Sequence, residues 1–92
     1  MRRRTDANQK EIVGALRQIG ATVQILSDVG SGCPDILVGF RGSNYALEIK
    51  DGEKIPSKQR LTPAEAVWHS TWRGQVAIVK SIGEAIRVVS EV

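Results

Sequence analysis

Residues 34–50 read PDILVGFRGSNYALEIK, and this stretch predicts a β-hairpin. Apolar-rich runs cover 35–40 and 45–50, and the residues between them, RGSN, are typical of a turn. A turn of this length pairs Phe40 with Tyr45 and, where the strands end, Asp35 with Lys50. The hairpin decides the fold because its register determines which side chains face the core.

The predicted pairing separates apolar from charged side chains. Alternate residues of a strand share a face, and so do directly paired residues. The apolar face therefore receives Ile36, Val38, Phe40, Tyr45, Leu47 and Ile49. The opposite face receives Asp35, Glu48 and Lys50 near one end of the hairpin. We expect two acids and a lysine to meet there.

Two carboxylates beside a lysine allow two interpretations. Diagonal neighbours on paired strands are about 7–8 Å apart, so Asp35 and Glu48 could converge on one cation such as Mg²⁺. The alternative is a surface salt bridge between Asp35 and Lys50, with Glu48 in solvent. The aliphatic neighbours favour the cation, because they indicate central strands where a charged group needs a partner. The Gly- and Ser-rich loop before Asp35 leaves space over the site.

The remaining sequence predicts the order α-β-β-β-α-β-α. Apolar residues recur at helical spacing over 6–19, and alternation predicts a strand at 22–25. Residues 51–60 are polar and basic, and this composition predicts a mobile connection. Thr62 and Glu65 have the spacing of a capping box at the start of a helix. A fourth strand at 75–80 and a last helix through Val89 complete the chain.

Composition limits the class of protein. With 92 residues, of which 41% are hydrophobic and 25% charged, we expect one folded domain over 1–92, with a basic tail at 1–5. The three positive charges of Arg2-Arg3-Arg4 equal the formal net charge of the chain, which is +3. The sequence has one cysteine and no signal-peptide or membrane-span pattern, so we expect a cytoplasmic protein.

The hairpin motif and its flanks resemble the VRR-NUC (virus-type replication-repair nuclease) domains of the PD-(D/E)XK nuclease superfamily. Pro34-Asp35, then twelve residues, then Glu48-Ile49-Lys50 is similar to the superfamily signature. More specific matches are Glu11 in the first helix, GCPDILVG at 32–39, and LTPAE at 61–65 followed by Trp68. The resemblance covers about residues 8–90.

The resemblance implies a fold and a reaction. The fold is a restriction-endonuclease-like α/β core, with a central mixed four-stranded sheet flanked by helices. The reaction is hydrolysis of phosphodiester bonds in DNA by an endonuclease that requires Mg²⁺ or Mn²⁺. Duplex DNA and branched DNA, such as a Holliday junction, are the implied substrates. The implied setting is the cytoplasm of a bacterial or phage-infected cell.

The resemblance also implies roles for individual residues. Asp35, Glu48 and the backbone carbonyl of Ile49 would bind the metal ion. Lys50 would orient or activate the attacking water, and Glu11 would reach the ion directly or through water. The chain departs from the family at position 65, where the family commonly has Gln.

Two further residues are candidates for accessory contacts to the site. Glu65 either caps the start of its helix together with Thr62 or contacts the site. Gln59, in the connection before it, could also reach the site.

Basic residues outside the motif predict contact with nucleic acid. They are Arg2, Arg3, Arg4, Lys54, Lys58 and Arg60. The alternative function is therefore a non-catalytic nucleic-acid-binding module that retains the nuclease fold and binds in a salt-dependent manner. If the chain is a nuclease, a junction or a duplex requires two cuts and each chain has one site, so we expect a homodimer.

Overall fold

The computed structural model describes residues 7–91, apart from the side chains of residues 57 and 58. Its elements are α1 (Ala7–Gln18), β1 (Thr22–Ile25), β2 (Ile36–Phe40), β3 (Ser43–Ile49), α2 (Pro56–Gln59), α3 (Pro63–Thr71), β4 (Val76–Val79) and α4 (Ile82–Ser90). This is the predicted order with one addition, because the connection at 51–60 contains the one-turn helix α2. Within 7–91, no helix is long and apolar enough to span a membrane.

The four strands form one mixed sheet in the order β1-β2-β3-β4. β1 pairs with β2 and β2 with β3 in antiparallel orientation, whereas β3 and β4 are parallel. A parallel pair needs a crossover connection, and the segment with α2 and α3 provides it. The predicted α/β class and mixed four-stranded sheet are therefore confirmed.

The hairpin of β2 and β3 has a different register from the predicted one. Phe40 pairs with Ser43 and Ile36 with Leu47, so the predicted pairing of Phe40 with Tyr45 is wrong. Each residue of β2 meets a partner two positions earlier in β3 than expected. Residues two apart in a strand share a face, so the predicted division into an apolar and a charged face is nevertheless correct.

The turn itself explains the register. It contains two residues, Arg41 with φ 53° and Gly42 with φ 83°. Positive φ at both positions is the geometry whose twist matches an antiparallel hairpin. Arg41 adopts it with its guanidinium 4.9 Å from the centre of the Phe40 ring. Ser43 and Asn44, which have turn-like composition, instead extend β3.

One face of the sheet packs against α1 and α4 and forms the core. The fully buried residues of this core are Ile12, Leu16, Ile36, Val38, Leu47, Val79, Ala85 and Val89. On the opposite face, Leu37 and Ile78 are exposed, whereas Ala46 and Glu48 are buried. The charged residues of the motif therefore lie on the face away from the main core.

Helix α3 is anchored at its first turn. The predicted capping box is confirmed: Thr62 Oγ1 accepts a hydrogen bond from the Glu65 N–H, and the Glu65 carboxylate accepts one from the Thr62 N–H. The helix has no buried residue of its own. Its start instead lies against Gly32, where an added side chain would meet the backbone at Ala64. The loop before β2 and the start of α3 are therefore in direct contact.

We expect Gly32→Ala to destabilise the protein by separating this loop from α3. The new methyl group would overlap the Ala64 carbonyl, and Gly32 also has φ +81°. The free energy of unfolding should fall by about 2–4 kcal/mol in urea denaturation. Gly30→Ala is the matched control, because Gly30 has φ +80° and open space around its Cα. It should cost about 1 kcal/mol, and equal losses would rule out the contact with α3 as the cause.

Candidate active site

Asp35, Glu48 and Lys50 lie at one end of the β2–β3 hairpin. Asp35 directly precedes β2, Glu48 is in β3, and Lys50 follows β3. The Asp35 N–H donates at 3.1 Å to the carbonyl of Leu47, the residue that pairs with Ile36. The ladder ends at this pair, and Asp35 and Glu48 are the next residues beyond it on the two strands. The predicted pairing of Asp35 with Lys50 is wrong, and Asp35 lies close enough to Glu48 for its charge to raise the pKa of that carboxyl.

The backbone around Asp35 orients its carboxylate. Asp35 Oδ2 accepts a hydrogen bond of 2.7 Å from the Ile49 N–H. The Asp35 carbonyl accepts a bond of 2.8 Å from the Leu26 N–H, and the preceding Pro34 is fully buried. Asp35 is thus held from both sides, with its carboxylate directed toward the end of β3.

Glu48 is the buried acid of the group. It is 3% exposed, and its Oε1 is buried without a hydrogen-bond partner. Burial raises the pKa of Glu48 to about 8, the negative charges of Asp35 and Glu65 act in the same direction, and Lys50 opposes them. An unsatisfied buried carboxylate oxygen is costly, and a cation beside it would remove that cost.

The residues present fit a divalent cation. Two adjacent carboxylates, one with an unpartnered buried oxygen, are hard oxygen donors of the kind that Mg²⁺ binds. Within 7–91, no three His, Cys, Asp or Glu side chains form a group that could hold a metal ion. Asp35 and Glu48 would therefore need backbone oxygen or water as further ligands, which is usual for Mg²⁺.

Lys50 is held between two carboxylates. Its Nζ donates to Glu65 Oε1 at 3.0 Å and lies 3.6 Å from Glu48 Oε2. Burial alone would lower the pKa of Lys50, but the hydrogen bond to Glu65 and the charge of Glu48 outweigh it and raise the pKa. Burial would raise the pKa of Glu65, but hydrogen bonds from the Thr62 backbone and from Lys50 lower it. Lys50 is therefore cationic and Glu65 anionic at neutral pH.

Two predicted site residues are not brought into this group. Glu11 is exposed on α1, and no hydrogen bond or salt bridge described for 7–91 joins it to Asp35, Glu48 or Lys50. Gln59 donates from Nε2 to the carbonyls of Gly52 and Lys54 and so closes its own loop.

Helix α1 instead reaches this end of the sheet through Asn8, which the sequence did not indicate. Its Nδ2 donates to the Lys50 carbonyl at 3.1 Å. The partners are 42 positions apart, and no motif marks the contact.

Cys33 and His69 are near these residues, and burial changes the pKa of each. Burial and the negative charges of Glu48 and Asp35 raise the pKa of Cys33, which disfavours the thiolate that a nucleophile requires. His69 lies one turn after Glu65 in α3, and its buried Nε2 has no hydrogen-bond partner among the described residues. Burial lowers the pKa of His69 and favours its neutral form.

The predicted nucleic-acid contacts are only partly described. Lys54 and Arg60 are exposed. Arg2, Arg3, Arg4 and the Lys58 side chain lie outside the described residues. Contact of all six residues with nucleic acid stays a prediction.

Comparison with solved structures gives a similar fold. One chain, described as a VRR_NUC domain, superposes with a TM-score of 0.66 and 28% sequence identity, covering 90% of this chain and 90% of that chain. Neither a family model nor a curated protein matches the sequence. The predicted resemblance to VRR-NUC domains is confirmed, and the chain has the α/β fold of such a nuclease domain.

We expect Glu48→Gln to stabilise the metal-free protein at alkaline pH. The raised pKa means that the folded protein binds this proton more tightly than the unfolded chain, so stability is lost as pH rises from about 4.5 to about 8. Gln has no charge to bury, so the variant should gain about 1–3 kcal/mol at pH 9.

Urea denaturation in chelator at pH 5 and pH 9 would measure this gain. At pH 5 the variant and the parent should differ little, because Glu48 is protonated in the folded parent. Glu91→Gln, at an exposed position, is the control and should change stability by less than about 0.5 kcal/mol at either pH. If Glu48→Gln gains the same stability at both pH values, the raised pKa of Glu48 is contradicted.

Proposed function

We propose that this protein is a divalent-metal-dependent endonuclease that hydrolyses phosphodiester bonds in DNA. The observation that carries the proposal is the buried, unpartnered oxygen of Glu48 beside Asp35 and Lys50. A purely structural role would not account for a carboxylate in this position, because its burial opposes folding when it is ionised. The likeness to a VRR_NUC domain supports the same class of reaction.

We propose Asp35, Glu48 and the Ile49 carbonyl as the residues that would hold Mg²⁺ or Mn²⁺. Such an ion supplies Lewis-acid stabilisation of the phosphate and lowers the pKa of bound water. The Ile49 N–H already donates to Asp35, so Ile49 would orient one ligand through its N–H and contribute another through its carbonyl oxygen. Glu11 would take part through water.

Lys50 supplies the positive charge next to these acids. Its ammonium group has three donors, one of which is used by Glu65. The remaining donors can hold an attacking water or a phosphate oxygen. A fixed cation at that point stabilises the negative charge that develops in phosphodiester hydrolysis.

Exposed basic residues would bind the DNA backbone. Lys54 and Arg60 lie in the segment between Lys50 and α3, close in sequence to the site. Arg2, Arg3, Arg4 and Lys58 would add to them. Contacts of this kind position DNA without reading its sequence, and duplex and branched DNA are both proposed substrates.

We expect DNA cleavage in Mg²⁺ or Mn²⁺ that chelator abolishes. Asp35→Asn, Glu48→Gln and Lys50→Met should each reduce the cleavage rate at least 100-fold, because each removes a ligand or a stabilising charge. Glu11→Gln should cost less, about tenfold, because its proposed contact is through water. The rates are measured by gel electrophoresis with linear duplex, single-stranded, flap and four-way-junction DNA.

Glu91→Gln is the matched control for this series and should cleave at the parental rate. Circular dichroism of each variant would exclude unfolding as the cause of a loss. Parental rates in the Asp35, Glu48 and Lys50 variants would contradict the proposal. Salt-dependent DNA binding without cleavage in either metal would instead support the alternative of a non-catalytic binding module.

We further propose that a symmetric dimer is the working unit. One chain contributes one group of Asp35, Glu48 and Lys50, whereas cutting both strands of a duplex or a junction requires two. Light scattering of the purified protein should give twice the mass of the 10.0 kDa chain, and the complex with DNA should contain two chains. A monomer that makes double-strand cuts at the full rate would contradict a dimer.

A further inference from the structure

Helices α3 and α4 begin with similar caps. Thr62 Oγ1 accepts from the Glu65 N–H at 3.2 Å, and Ser81 Oγ accepts from the Glu84 N–H at 3.1 Å. Each glutamate also accepts a backbone N–H at 2.9 Å, Glu65 from Thr62 and Glu84 from Lys80. Capping accounts for both glutamates at these positions.

Glu65 has a contact that Glu84 lacks. The Oε1 of Glu65 also accepts a hydrogen bond from Lys50 Nζ at 3.0 Å. The side chains of Lys50 and Glu65 are 13% and 15% exposed, so solvent screens this ion pair less than a surface pair. Within residues 7–91, Glu84 forms no salt bridge.

The shared oxygen connects Lys50 to a rigid element. Because Glu65 Oε1 is bonded to the Thr62 backbone, the first turn of α3 determines where that oxygen lies. The contact of Gly32 with Ala64 fixes this turn against the loop before β2. A lysine side chain is long and flexible, so a fixed acceptor removes most of its freedom.

The distances also separate the tasks of the two carboxylates. Lys50 Nζ is 3.0 Å from Glu65 and 3.6 Å from Glu48, so its closer bond goes to Glu65. Glu48 therefore keeps Oε1 without a partner beside Asp35. Without Glu65, Glu48 would be the remaining acceptor for Lys50 and would be drawn into a tighter ion pair with it.

We propose that Glu65 is a positioning residue that fixes Lys50 beside Asp35 and Glu48, an inference that rests on the proposed function. Glu65 acts through Lys50 and has no contact with the reacting atoms. The capping box thereby connects the start of α3 to the site.

A double-mutant cycle on stability tests the contact without any DNA. Lys50→Met, Glu65→Ala and the double variant are unfolded in urea with chelator present. We expect a coupling factor of at least about three in the unfolding equilibrium constant. The control cycle combines Lys50→Met with Glu84→Ala and should be additive within about twofold. If Glu65→Ala does not fold, Glu65→Met and a Lys50→Met/Glu65→Met double variant replace it, because Met removes the acceptor and is a good helix former.

Kinetics test the consequence for the reaction. Glu65→Ala should lower kcat on DNA at least tenfold while KM changes by less than about twofold, because a displaced Lys50 affects the reaction more than binding. Glu65→Gln should recover most of the loss, since its amide oxygen can accept both hydrogen bonds. Glu84→Ala loses a similar cap and should keep the parental kcat.

The two sets of results separate failure of this inference from failure of the proposed function. An additive Lys50–Glu65 cycle, or equal losses of kcat in Glu65→Ala and Glu84→Ala, would overturn the inference. If the parent does not cleave DNA in either metal, the proposed function fails, and the stability cycle alone decides whether Glu65 holds Lys50.

Discussion

Glu48 is buried on the central strand β3, and the other charged groups of the site are arranged around it. Every residue of β3 from Tyr45 to Ile49 is buried, so the neighbours of Glu48 in its own strand are also shielded from solvent. An ionised carboxylate in such a place needs compensation from its neighbours. Asp35 adds negative charge, and Lys50 opposes it only in part, which leaves the group with an excess of negative charge. That excess is what a divalent cation would neutralise.

The hairpin and the crossover segment each contribute one half of the site. The hairpin brings Asp35 beside Glu48, and the Ile49 N–H holds the Asp35 carboxylate, so this part depends on the two strands and their ends. The crossover from β3 to β4 carries Glu65 back to Lys50, so this part depends on where α3 lies. Because α3 buries no residue of its own, its position depends on a few polar and close backbone contacts. The stability of the first turn of α3 and the arrangement of the site are therefore linked.

Local rules predicted the parts of the structure that depend on neighbours in sequence. Apart from the one-turn helix α2, the helices, the strands and the Thr62–Glu65 capping box follow from patterns of a few residues, and the structure agrees. The hairpin register was not predicted correctly. The composition of RGSN indicates a turn but does not show which of its residues have positive φ, and in the structure these are Arg41 and Gly42. Arg41 takes such a φ beside Phe40, although a residue with a side chain there is uncommon.

The pattern of apolar and charged residues is enough to predict the two faces of the hairpin and hence that Asp35, Glu48 and Lys50 share one end of the sheet. This holds because a strand alternates its side chains whatever its exact register, so an error of two positions leaves the faces unchanged. Which of these groups are in contact depends on the packing of helices against the sheet and does not follow from the pattern. The closest partner of Lys50 is Glu65, and Asn8 bonds to the Lys50 backbone, while Glu11 forms no hydrogen bond or salt bridge with them among the described residues. These contacts join distant segments, and their geometry depends on how the helices pack against the sheet.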